Sequence, residues 1–84
     1  MVGPERGRVH GGMDLRERVG LNVRAIRLQR GFSQEELAAR SAVHQTYLSG
    51  VERGKRNATV LVLGRIASAL AVDVRELFRC PSDT

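Results

Sequence analysis

Apolar residues recur at helical intervals along most of the chain. Val19, Val23 and Ile26 are spaced by four and three, as on one buried helical face. Asp14 is a suitable N-cap and Gly31 a suitable stop, which predicts a first helix from Asp14 to about Gln29. Phe32 follows as a plug between helices. Ser33 and Glu36 form an S-x-x-E capping box, whose hydroxyl and carboxylate satisfy orphan N–H groups at a helix start. They open a second helix, about Gln34 to Ser41, with Leu37 and Ala38 inward. Ala42 and Val43 make a tight turn. A third helix begins near His44 or Gln45 and runs to about Arg53, with Leu48 and Val51 inward and Gln45, Thr46, Ser49 and Arg53 outward. After the basic loop Gly54–Asn57, a fourth helix spans about Thr59 to Leu70 and buries Leu63, Ile66, Ala67 and Leu70. Val72 enters a short fifth helix, capped by Asp73, in which Val74, Leu77 and Phe78 are apolar.

No strand-like alternation persists and no repeat is visible, so the expected fold is all-α: a compact bundle of five helices. Residues 1–12 contain four Gly and one Pro and have almost nothing to bury, which predicts a flexible basic arm whose Arg6 and Arg8 can reach along a polyanion. Met13 directly precedes the first helical signal and is an alternative start. The folded domain is expected over 13–79. Pro81 ends it, leaving 80–84 as a disordered tail.

Composition narrows the class. With 84 residues, 27% charged and 42% apolar, the chain suits one soluble domain with a modest core. Its net charge of +5 favours a polyanionic partner, nucleic acid or an acidic membrane surface. Thirteen of the fourteen basic residues are Arg, which suits phosphate and guanine recognition but also follows from a GC-rich genome. Cys80 is the sole cysteine, and His10 and His44 lack ligand spacing, so neither an intrachain disulfide nor a metal site is expected. No apolar run approaches the ~20 residues of a membrane span, and the N-terminus has no apolar signal core; the expected location is the cytoplasm. Two crossed helices, the second polar on its outer face, suit insertion into the DNA major groove.

Taken together, Arg27 with Gly31-Phe32-Ser33-Gln34-Glu35-Glu36-Leu37-Ala38, Tyr47-Leu48-Ser49, Glu52-Arg53-Gly54-Lys55, the run Leu63, Ile66 to Val72, and Leu77-Phe78 resemble the lambda-repressor/Cro-type (xenobiotic-response-element) family of helix-turn-helix proteins. The resemblance covers about Val19 to Phe78. It implies a five-helix DNA-binding domain with the helix-turn-helix in helices 2 and 3, and helix 3 reading base edges. It assigns base contacts to Gln45, Thr46 and Ser49, with Gln34, eleven residues earlier, touching phosphate and bracing Gln45. Ser41, Tyr47, Arg53, Lys55, Arg56 and Asn57 are assigned to the DNA backbone. Arg27 and Glu52 match a pair that ties helix 1 to the end of helix 3. Four positions depart from the pattern. Gly50 stands where relatives usually carry a long polar side chain, so either one reading position is absent or the backbone approaches DNA closely. Ala58 replaces a frequent Pro, Gly64 replaces a frequent apolar residue, and His44 replaces a better cap.

The function implied is sequence-specific transcriptional regulation by a homodimer on a palindromic or pseudopalindromic operator, restriction–modification controllers being the first subtype named. Helix 5, through Val74, Leu77 and Phe78, is the expected dimer seam. The alternative is the antitoxin of a toxin–antitoxin pair, which binds a toxin protein and represses its own operon; RNA polymerase is a further partner of a regulator. No Ser/His/Asp set, phosphate loop or paired-carboxylate motif points to an enzyme, and no cofactor is implied.

Overall fold

The structure, a computed structural model, describes residues 13–80. The arm expected over 1–12 and the tail beyond residue 80 lie outside the described residues. Four α-helices follow one another: α1 (Leu15–Gln29), α2 (Gln34–Ser41), α3 (Gln45–Glu52) and α4 (Val60–Leu70), then a 3₁₀ turn (Val74–Phe78). The expected fifth α-helix is therefore corrected to this turn. Asp73 caps it by accepting from the Arg75 N–H, and the Glu76 N–H bonds three residues back to Asp73. The carbonyls at its far end are taken by α1. Asn22 donates to Leu77 and Arg79, and Arg18 to Phe78, so no further helical turn is needed to satisfy them.

The starts of the helices follow local chemistry. Asp14 caps α1 in a complete capping box with Glu17, and the Arg16 guanidinium beside it holds the Asp14 carboxyl below its usual range. Ser33 caps α2 and Thr59 caps α4 through their hydroxyls. The expected box at Ser33 is only half formed, because the Glu36 carboxylate pairs with Arg40 at 3.2 Å. His44 precedes α3 without a side-chain cap.

All four helices end alike. The N–H of the residue after the left-handed one closes back onto the helix, from Phe32 to Arg27, Val43 to Ala38, Lys55 to Gly50 and Val72 to Ala67, in Schellman geometry. The left-handed residue of the motif is Gly31 after α1 and Gly54 after α3, but Ala42 after α2 and Ala71 after α4, both at φ 60°.

Every element contributes to one core. Val19 and Val23 meet Leu37, Ala38, Leu48, Leu63, Ile66, Ala67, Leu70 and Leu77, with Ile26, Phe32 and Phe78 packed around them. α1 and α3 approach closely at Gly20, where a Cβ would strike the Val51 and Glu52 carbonyls. Among the described residues no helix is long and apolar enough to cross a membrane.

Candidate nucleic-acid interface

α2 packs against α3 through the turn at Ala42–His44, and α3 lays Leu48 and Val51 on the core. This fixes which side of α3 faces out. Gln45, Thr46 and Arg53 are exposed, while Ser49 and Tyr47 are half-buried. At ~100° per residue Gln45, Ser49, Arg53 and Thr46 share one arc of the helix. The expected base-contacting residues Gln45, Thr46 and Ser49 are thus brought together on one face.

That face is cationic. Between Gln45 and Asn57 the only carboxylate is Glu52, and it is buried. Arg53, Lys55, Arg56 and Asn57 are exposed and follow the face in sequence. The Schellman turn at Gly54 (φ 74°) reverses the chain, so the loop lies against the end of α3 instead of leading away from it.

The frame behind the face is a buried ion pair. Arg27 Nε donates to Glu52 Oε2 at 2.6 Å, and its Nη2 to Oε1 at 3.0 Å, a two-bond fork between α1 and α3. Arg27 Nη1 also donates to the Phe32 carbonyl at 2.9 Å. The expected pairing of Arg27 with Glu52 is present, and a third member joins it. Gln34 at the start of α2 donates to Glu52 Oε1 at 3.0 Å. Among the described residues Gln34 therefore braces Glu52 and not Gln45, which corrects the expected brace. The reason is proximity to a buried anion, a stronger acceptor than an exposed amide.

Two further expectations change. Ser41 is 1% exposed and its hydroxyl donates to the Leu37 carbonyl at 2.6 Å, so that side chain is turned away from any phosphate. Leu77 is fully buried in the core, so it is unavailable as a dimer contact; Val74 is 40% exposed and Phe78 half-buried. The sequence reading also missed Arg65. Its guanidinium donates to the Ser41 and Ala42 carbonyls, pinning the α2–α3 turn to α4. An exposed arginine one turn into an apolar helix carried no signal of that reach.

A buried two-helix frame presenting a polar, cationic outer helix defines a helix-turn-helix DNA-binding domain. The chain belongs to the helix-turn-helix family, whose sequence model matches residues 23–77. It is 46% identical over 72 residues to an uncharacterised HTH-type transcriptional regulator of Sinorhizobium fredii, covering 86% of this chain and 94% of that one. It is 43% identical over 65 residues to the control protein C.SmaI of Serratia marcescens, covering 77% of each. Its fold is similar to that of the restriction–modification controller protein C.AhdI from Aeromonas hydrophila, with a TM-score of 0.74 and 40% identity over 75% of this chain and 96% of that chain.

Proposed function

We propose that this helix-turn-helix transcriptional regulator acts as a homodimer on a two-fold operator, as a controller of the kind its relatives C.SmaI and C.AhdI are named for. The observation that carries the reading is the outer face of α3. It offers Gln45, Thr46 and Ser49 to base edges, is flanked by Arg53 and Lys55, and carries no exposed carboxylate. An unpaired α3 N-terminus adds the positive end of the helix dipole. Gln45, at the first position of α3, is suited to a bidentate contact with adenine N6 and N7. Gln34, Arg53, Lys55 and Asn57 grip phosphate, setting register rather than sequence. Similarity to regulators and controllers does not favour the antitoxin alternative.

The test is selection of binding sites from randomised duplex DNA, followed by titration of the selected site and of random DNA. Gln45→Ala is expected to lose about 1–3 kcal/mol on the selected site and to leave random-DNA binding unchanged. Equal loss on both DNAs would show that Gln45 does not read a base.

A further inference from the structure

On α3 at ~100° per residue, position 50 follows Thr46 by only ~40°, and Tyr47 follows position 50 by ~60°. A side chain at position 50 would extend the reading arc beyond Thr46, and glycine supplies none. The space is nevertheless filled. A Cβ built on Gly50 would lie 2.7 Å from Arg56 Cγ, 3.5 Å from its Nε and 3.7 Å from its Cδ, so the Arg56 stem lies flat across the helix there. The guanidinium carbon is 5.5 Å from the centre of the Tyr47 ring, within cation–π range. The turn at Gly54 brings Arg56 back over α3. Arg56 remains exposed, and among the described residues no carboxylate pairs with it.

We infer that Arg56 reads a base, occupying from outside the helix the reading position that Gly50 leaves vacant, with Gly50 and Tyr47 as its positioning residues. The matching chemistry is a guanine, whose O6 and N7 accept the two parallel N–H groups of a guanidinium in the major groove. A phosphate contact needs only a charge on a flexible stem. Here the stem is packed and the fork held by a ring before DNA arrives, which lowers the entropy lost on binding and fixes direction. The inference rests on the reading that α3 enters the major groove. It moves Arg56 from the backbone-gripping set, where the resemblance assigned it, to the reading set.

Site selection with the full chain separates the possibilities. Wild type is expected to select a site containing one guanine per half-site that Arg56→Ala no longer requires, with affinity for the selected site falling about tenfold or more relative to random DNA. Gly50→Met keeps the charge of Arg56 but takes its space, and is expected to lose the same guanine. Should Gly50→Met melt early by circular dichroism, Tyr47→Leu replaces it in the same selection and is expected to weaken the same position. If Arg56→Ala keeps the wild-type motif and weakens selected and random DNA equally, Arg56 is a phosphate contact and the inference is overturned. If wild type selects no motif at all, the major-groove reading falls along with it.

Discussion

Ala42 and Ala71 sit in the left-handed region that favours glycine, each ending a helix. An alanine there costs about 1–2 kcal/mol relative to right-handed backbone, whereas glycine avoids the cost but loses more entropy on folding. The first effect wins where the residue is exposed, as at Ala42. Ala42→Gly is therefore expected to raise stability by up to about 1 kcal/mol, read as a higher urea midpoint with unchanged slope. A lower midpoint would mean that the methyl group makes a packing contact worth more than the strain. Neither alanine was legible as a left-handed cap in the sequence, because alanine is also the best helix former. Gly31 and Gly54 could be read as stops or loops since glycine advertises the conformation.

Between elements, Glu52 is the junction of three helices: its two oxygens take Arg27 from α1 and Gln34 from α2 while it belongs to α3. Removing either charged partner leaves the other buried without compensation, which costs about 3–5 kcal/mol, whereas removing both does not. Arg27→Met and Glu52→Leu are each expected to destabilise strongly, and the double variant by at least about 1 kcal/mol less than their sum. Additive losses in urea denaturation would mean that the pair contributes no coupling. The four α-helices were legible because spacing and caps are written locally, whereas the Arg27–Glu52 partnership, 25 residues apart, was legible only through the family resemblance. The redirected bond of Gln34, the close approach at Gly20 and the Arg56 stem over Gly50 were not. Each depends on how near two elements come, and no local pattern encodes that distance. The same limit misplaced Leu77. In a five-residue segment with three apolar positions, sequence cannot tell which one faces the core.

At the scale of the whole molecule, the burial of Leu77 moves the proposed two-fold seam elsewhere. Among the described residues Val60 and Leu61, 82% and 77% exposed at the start of α4, are the most exposed of the large apolar side chains, and Leu15 at 55% adds to the uncovered apolar surface. Gly64 and Ser68 continue the outer stripe of α4 without bulk, and a Cβ at Gly64 would meet nothing, leaving room for a second helix to approach. A self-complementary contact between these faces would hide the patch, and a two-fold operator requires that it set the two α3 helices about one DNA turn (~34 Å) apart. Sedimentation equilibrium is expected to report a dimer, and Leu61→Glu a folded monomer with sharply reduced affinity for the two-half-site operator. A wild-type monomer that binds such an operator tightly would overturn the seam. The docking of the 3₁₀ turn also bears on how the protein is made. Leu77 completes a core begun by Val19, and Asn22 and Arg18 find their acceptors 55 to 60 residues later. A nascent chain therefore cannot close this domain until those last carbonyls have left the ribosome. Prematurely terminated products that end before Leu77 lack the closure that holds α1.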